Sequence, residues 1–223
     1  LARTRPFCTR GHVRRGSVAE AVEWNLNHDA AFCDGTWLPP TAVYVTLGTW
    51  AAKAPLVSDY TGRHIYYRSI QQRTEDWLTV HDYLWRWDTD WFWCSRAFGA
   101  QNPSIRRLIP RRYLRSDTWW KLVEFEQRHR WKRRWDRRRG RPEREEVVQD
   151  VEVPIDRLVE FMHVFAREVP IDPVWFCPLQ QRTTDARGLY RPDPATLSIT
   201  VARWAAVALP PGGEPNRTTA PTG

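Results

Sequence analysis

An unusually aromatic stretch at residues 81–102, with the sequence HDYLWRWDTDWFWCSRAFGAQN, most constrains what this chain can fold into. A surface helix needs apolar residues only at every third or fourth position, but here aromatic side chains fall on nearly every face. We therefore expect the stretch to be enclosed by the rest of the protein or to line a cavity. One interpretation is a buried tryptophan cluster in which Arg86 pairs with Asp88 or Asp90. The other is a ligand pocket, whose candidate residues are Arg86, Asp88, Asp90, Trp91 and Trp93.

Three stretches of the sequence together resemble one enzyme family. They are residues 60–73 (YTGRHIYYRSIQQR), residues 81–102, and residues 145–179, where EEVVQDVEVPIDRLVEFMHVF is followed closely by PIDPVWFCPL. In this order they resemble the sterol delta-24 reductases, which are FAD-linked oxidoreductases of the vanillyl-alcohol-oxidase superfamily. The resemblance covers residues 17–203 and makes the candidate pocket residues substrate-binding candidates.

The order of the predicted helices and strands supports an α+β fold, with a mostly antiparallel sheet and helices on one face. The resemblance implies that this is the substrate (cap) domain of such an enzyme. The FAD-binding domain is absent, because the chain has no GxGxxG motif and no phosphate-cradling loop. We therefore expect a fragment that is inactive alone, with FAD bound mainly by the missing domain and NADPH as a candidate reductant. The expected organisation is a disordered or non-native extension at 1–16, the seam with the FAD domain at 17–50, the substrate domain at 51–205 and a disordered tail at 206–223.

The same resemblance implies the reaction, which is reduction of a carbon–carbon double bond in a sterol-like or other lipid substrate. A reduced flavin delivers hydride to one carbon of the double bond, so an acid near the second carbon must deliver a proton to it. Tyr83 and His81 are the candidate catalytic acids, because an aspartate would need deep burial to keep its proton near neutral pH. The alternative interpretation is that each of them is a structural residue held by hydrogen bonds.

Two residues of a predicted strand at 173–179 join the substrate-binding candidates. Trp175 and Cys177 have the same parity, so their side chains point to the same side of the sheet. The resemblance implies that this side stands over the flavin ring and shapes the substrate cavity. Ordinary sheet packing accounts for both residues without a ligand.

The positive charge of the chain is concentrated in one basic run. Residues 128–144 (RHRWKRRWDRRRGRPER) carry ten Lys or Arg and two acidic residues, which accounts for the whole formal net charge of +8. This run, which includes Trp131 and Trp135, has two interpretations. One is a solvated helix end, and the other is a segment that makes peripheral contact with an anionic membrane surface. A nucleic-acid partner is not expected. The alternative hypothesis for the whole chain is therefore a non-catalytic module that binds a lipid surface or an anionic partner.

The sequence does not indicate other classes of site. The four cysteines show no CxxC spacing and the six histidines are scattered, so neither a metal site nor a disulfide framework is predicted. No apolar run approaches the roughly 18 residues of a membrane span, and the basic first residues lack the apolar core of a signal peptide. We therefore expect a cytoplasmic protein, with membrane association only through the basic run.

Local patterns predict the helices and strands. Ser17 and Glu20 form a capping box ahead of a helix at 18–27, and Thr79 is an N-cap candidate. Further helices are expected at 81–87, 90–98, 117–137 and 155–168. Strands are expected at 32–38, 43–48, 146–153, 173–179 and 197–205, with a short extended segment at 65–68.

Overall fold

A seven-stranded antiparallel sheet runs through the part of the chain that the structure describes. The computed structural model describes residues 8–27, 30–38, 42–92, 94–169, 171–180 and 195–209. The strands are β1 (Cys8–Gly16), β2 (Phe32–Leu38), β3 (Ala42–Ala51), β4 (Glu75–Thr79), β5 (Arg144–Pro154), β6 (Val174–Leu179) and β7 (Ser198–Ala208). Their order across the sheet is β4-β1-β3-β2-β6-β7-β5, and neighbouring strands are antiparallel. The predicted α+β class with a mostly antiparallel sheet is confirmed.

Two helices, α1 (Val18–Asn27) and α8 (Leu158–Glu168), cover the first face of the sheet. Helix α8 buries Leu158, Met162 and Phe165, whose spacing places them on one side of the helix. They pack against strand residues of the main core, which include Val43, Val45, Val174, Phe176, Ile199 and Val201. Burial of each such side chain contributes about 1.5–3 kcal/mol, so packing against the sheet is what holds this helix.

Helix α1 begins at the predicted capping box. The Ser17 backbone N–H donates to Glu20 Oε2 at 2.6 Å, and the Glu20 backbone N–H donates to Ser17 Oγ at 3.2 Å. The bond to Ser17 Oγ satisfies the Glu20 backbone N–H, which is one of those that the first turn of a helix leaves unpaired. The bond to Glu20 Oε2 holds Ser17, the residue that precedes the helix. The prediction of a helix at 18–27 is confirmed.

The second face of the sheet is covered by the chain between β3 and β5, which is rich in short helices and turns. The helices there are α2 (Tyr66–Ser69), α3 (Val80–Trp85), α4 (Cys94–Ala97), α5 (Pro103–Leu108), α6 (Ser116–His129) and α7 (Trp131–Arg138). From this segment Tyr66 and Trp87 pack with Trp175 and Trp204 of the sheet. The expectation that this face stands open over a flavin ring is wrong around Trp175, because aromatic side chains of the chain itself fill the space.

Two helix predictions fail where the backbone takes positive φ values. The helix expected at 90–98 is reduced to α4, because Trp91 and Phe92 have φ values of 47° and 52°. An α-helix requires negative φ at every residue. The long helix expected at 117–137 is broken in the same way at Arg130, whose φ of 50° separates α6 from α7.

The strands that were not predicted lie at one edge of the sheet. Residues 8–16, expected to belong to a disordered or non-native extension, form β1 between β3 and β4. Residues 65–68, expected to be extended, overlap helix α2, and β4 was not predicted at all. Strand β7 continues to Ala208, past the expected start of a disordered tail, and residues 210–223 lie outside the described residues.

The ranges expected to form a seam and a substrate domain contribute to one sheet. Strand β2 and nearly all of β3 lie within residues 17–50, and β6 and most of β7 lie within residues 51–205. The two groups are joined by a short ladder in which residues 35–37 of β2 pair with residues 174–176 of β6. By contrast, β5 and β7 pair along their whole length. The short ladder brings Asp34 of β2 and Cys177 of β6 to the same face.

Candidate functional site around Arg86

A buried ion pair joins Arg86 to Asp34 on the second face of the sheet. The distance from Arg86 Nη2 to Asp34 Oδ2 is 2.6 Å, and the two side chains are 9% and 11% exposed. Arg86 is the C-cap residue of α3, and its Nη1 donates to the Tyr83 carbonyl at 2.6 Å, which directs the guanidinium towards the sheet. The prediction that Arg86 pairs with Asp88 or Asp90 is therefore wrong.

Aromatic rings surround the Arg86 guanidinium. Its Cζ lies 4.1 Å from the centroid of the Tyr83 ring and 5.3 Å from that of Tyr66, within the range of cation–π attraction. Trp87 packs edge-on against Tyr66 and stacks on Phe92 at 4.8 Å. Phe92 in turn contacts Trp175 of β6 at 5.6 Å. We call Tyr66, Tyr83, Trp87, Phe92 and Trp175 the aromatic cluster.

The ion pair and the burial set the protonation of the groups in this cluster. Burial is the largest single influence on the pKa of Arg86 and would lower it, but the charge and hydrogen bond of Asp34, together with Tyr66 and Tyr83, outweigh burial and the pKa is raised. Burial raises the pKa of Tyr83, while the nearby Arg86 charge opposes part of that rise. Burial also raises the pKa of the Cys177 thiol, and the charge of Asp34 adds to the effect. Near neutral pH, Tyr83 and Cys177 therefore keep their protons beside a permanently charged Arg86.

Among the buried hydrogen-bond donors of this region, Arg86 Nε and Trp175 Nε1 lack an acceptor within the described part of the chain. A buried donor without a partner costs about 1–3 kcal/mol, so such atoms are uncommon in a core whose only role is structural. An acceptor supplied by a bound molecule would remove that cost.

Asp88 and Asp90 hold the surrounding turns rather than Arg86. Asp88 Oδ1 accepts from the backbone N–H of Ser116 at 3.2 Å and from its hydroxyl, at the first residue of α6. Asp90 is 1% exposed, and its Oδ1 accepts from Gln101 Nε2 at 2.7 Å and from the Ser95 hydroxyl. These bonds place both carboxylates in structural networks.

The other candidate residues lie apart from one another. Trp91 is half-buried and packs edge-on against Trp204 at 4.6 Å and against Trp120 of α6 at 5.9 Å. His81 is exposed on α3, one turn before Trp85, whereas Tyr83 is part of the aromatic cluster. Trp93 lies outside the described residues. The structure therefore brings together Tyr83, Arg86, Trp175 and Cys177 from the candidate list.

Asp34 is the site residue that sequence reasoning missed. It is an acidic residue in a strand, FCDGTWL, whose last five residues are all buried. A charged residue in a strand whose other residues are uncharged and largely buried requires a partner of opposite charge. That signal was available in the sequence, but it does not identify Arg86 as the partner.

Two classes of site are not seen among the described residues. No helix in the described ranges is long and apolar enough to cross a membrane. In the same ranges, no three or more His, Cys, Asp or Glu side chains come together in a group that could hold a metal ion.

Comparison of the chain with protein-family models, with curated proteins and with solved structures found no match. The resemblance to the sterol delta-24 reductases therefore stays a prediction that rests on residues 17–203 of this sequence.

Proposed function

We propose that this chain is the substrate-binding domain of an FAD-dependent oxidoreductase that reduces a carbon–carbon double bond in a sterol-like or other lipid molecule. The observation that carries the proposal is the convergence of the three stretches in which the resemblance lies. Residues 60–73 supply Tyr66, residues 81–102 supply Tyr83 and Arg86, and residues 145–179 supply Trp175, all within one cluster.

The composition of this cluster suits a mostly apolar ligand with one polar acceptor. Its aromatic rings offer apolar surface, and the unpartnered donors Arg86 Nε and Trp175 Nε1 offer hydrogen bonds that a hydroxyl or carbonyl oxygen would accept. Tyr83 is the candidate proton donor, because its raised pKa keeps it protonated and it lies half-buried beside Arg86. His81 is less suited to that role, because its side chain is exposed.

The described residues do not fit FAD by themselves. The sequence has no glycine-rich loop for a pyrophosphate, and the face that would stand over the flavin ring is filled by Trp87 and Phe92, which are stacked at 4.8 Å. The proposal therefore assigns FAD, and NADPH as its reductant, to a separate FAD-binding domain. The residues of this chain would bind and orient the lipid and hold the proton at Tyr83 Oη.

The test is reconstitution with the polypeptides encoded on either side of this reading frame. The chain would be coexpressed with them, and the complex assayed for bound flavin and for NADPH-dependent saturation of a sterol with a side-chain double bond, followed by mass spectrometry. We expect flavin binding and turnover only in the complex, with turnover lost in Tyr83→Phe and flavin retained. A complex that binds no flavin, or that binds flavin but leaves every such sterol unchanged, would contradict the proposal.

A further inference from the structure

A large cleft lies between the α6–α7 pair and the end of the sheet formed by β5 and β7. Its volume is about 1290 Å³, which is ample for one ligand of ordinary size. Helices α4, α6 and α7 form one side of the cleft, and the ends of β5 and β7 form the other. The cleft is distinct from the aromatic cluster, although Trp204 borders both.

The acidic side chains of the cleft are all engaged by other groups. Glu143 pairs with Arg133, Asp136 pairs with Arg141 at 3.1 Å, and Asp172 pairs with Arg96 at 3.6 Å. The fourth acid, Glu126, accepts the backbone N–H groups at the start of α7. No carboxylate in the cleft is therefore left to neutralise further cations.

Three arginines of the cleft remain without an ion pair among the described residues. They are Arg130 at the break between α6 and α7, Arg137 on α7 and Arg144 at the start of β5. Guanidinium groups bind phosphate oxygens through paired hydrogen bonds, and several together favour a group with several oxygens and more than one negative charge.

The part of the cleft formed by β7 is apolar. Trp204, Ala205 and Ala208 of β7 line it together with Ile171, and Phe98 lies next to α4. A simple phosphate ion would leave this surface unused, whereas a hydrocarbon chain would cover it and gain about 25 cal/mol for each Å² of apolar surface removed from water.

We propose that this cleft binds an amphiphilic phosphate, that is, a lipid-like molecule with a phosphate or diphosphate group. Arg130, Arg137 and Arg144 hold the phosphate, and the hydrocarbon part lies along Trp204 and Ile171. A single molecule in a concave site differs from the peripheral membrane contact predicted for the basic run. The inference does not rest on the proposed flavin chemistry, and its test uses no flavin.

Helix α7 offers a matched pair of variants. Arg137 lines the cleft, whereas its neighbour Arg138 lies outside the cleft and is also exposed. Binding of dodecyl phosphate to the 223-residue chain would be measured by calorimetry below the micellar concentration. We expect Arg137→Ala to weaken binding about tenfold or more, because one charged hydrogen-bonding partner is lost, and Arg138→Ala to change it less than about twofold.

Unmodified protein provides the second arm of the experiment. Dodecyl phosphate should bind at least about tenfold more tightly than inorganic phosphate or dodecanol, since neither engages both sides of the cleft. Equal weakening by Arg137→Ala and Arg138→Ala, together with binding only to phosphatidylserine vesicles, would overturn the proposal in favour of membrane contact. Inorganic phosphate binding as tightly as dodecyl phosphate would reduce the cleft to an anion site and also overturn it.

Discussion

Arg86 and Asp34, which are 52 positions apart in the sequence, form an ion pair at 2.6 Å between the end of a short helix and a central strand of the sheet. Both side chains are almost fully enclosed, and Tyr83 and Tyr66 lie against the guanidinium. The pair therefore fixes the position of the aromatic segment over the sheet.

Removal of one partner should be far more costly than removal of both. We expect Arg86→Ala to lower the free energy of unfolding by about 3–5 kcal/mol, because it leaves the Asp34 carboxylate buried without a counter-charge. The double variant Arg86→Met with Asp34→Leu should lose much less, since no charge remains buried. Chemical denaturation of the variants measures both effects.

An exposed ion pair provides the control for this comparison. Arg157 and Glu160 pair at 3.0 Å with side chains 69% and 72% exposed, so Arg157→Ala should change stability by less than about 1 kcal/mol. If Arg86→Ala costs no more than Arg157→Ala, the enclosure of the Arg86–Asp34 pair is contradicted.

Tyr60 should make stability fall in alkaline solution. Burial, and then a hydrogen bond donated to Asp76 Oδ2 at 2.5 Å, raise the pKa of Tyr60 from 10 to about 12. Its stabilising contribution is complete below the unfolded value and is lost as pH rises towards the folded value, because only the unfolded chain ionises in between. The free energy of unfolding should therefore decline between pH 10 and about 12.

The variant Tyr60→Phe isolates this contribution. It should be less stable than the unmodified chain at pH 8, because Asp76 and Ser69 lose a hydrogen-bond partner. Above pH 10 the two proteins should converge, since phenylalanine does not titrate. Parallel curves of stability against pH would show that Tyr60 is not responsible for the decline.

Much of the first face of the sheet was predictable from the sequence, because its pattern is local. The capping box at Ser17 and Glu20 gave α1 correctly, and the apolar stripe of α8 and the alternation in β3 were read directly from residue spacing. Strand β1 was missed because CTRGHVRRG has no apolar alternation and a high content of arginine and glycine, and its pairing with β3 and β4 overrides this weak local preference.

The second face was harder to predict, because its structure depends on contacts between distant residues. Trp91 and Phe92 adopt positive φ values that a bulky residue adopts only when its surroundings hold it there. The positions of Trp175 and Cys177, two residues apart in a strand, correctly predicted that both lie on one face. The partner of Arg86 is Asp34 rather than Asp88 or Asp90, and this could be known only from the order of the strands in the sheet.

Gly35 is required for the close approach of β2 to β6. A Cβ atom added at Gly35 would lie 3.2 Å from Phe176 Cβ, which is tighter than ordinary van der Waals contact. We expect Gly35→Ala to cost about 1–3 kcal/mol in unfolding free energy, through overpacking between these strands.

Gly62→Ala is the control for this substitution, because its nearest neighbour at 3.4 Å is the flexible Arg111 side chain. Thermal denaturation should show a clearly lower midpoint for Gly35→Ala than for Gly62→Ala. Equal midpoints for the two alanine variants would contradict the close approach.

Glu126 should hold the start of α7. Its carboxylate accepts from the Lys132 N–H at 3.0 Å and from the Arg133 N–H at 3.3 Å. Loss of such a cap costs about 0.5–2 kcal/mol, and an eight-residue helix has little stability of its own. We therefore expect Glu126→Ala to raise amide hydrogen exchange along α7.

A neighbouring glutamate tests whether the effect is specific. Glu124 lies on the same helix, and its ion pair among the described residues is with Arg128 at 3.9 Å, with more than half of each side chain exposed. Glu124→Ala should leave exchange in α7 unchanged. Equal acceleration by the two variants would show that α7 depends on general charge rather than on the cap.

The sheet has its shortest backbone ladder between β2 and β6. Within the described sheet, the pairing of residues 35–37 with residues 174–176 is the backbone ladder that joins the group β4-β1-β3-β2 to the group β6-β7-β5. By contrast, β5 and β7 pair over eleven residues each. A force or thermal fluctuation that separates the sheet would break the β2–β6 ladder first. The strands within each group would stay paired. Asp34 and Cys177, which lie on opposite sides of the β2–β6 junction, would then separate before any strand was lost from either group.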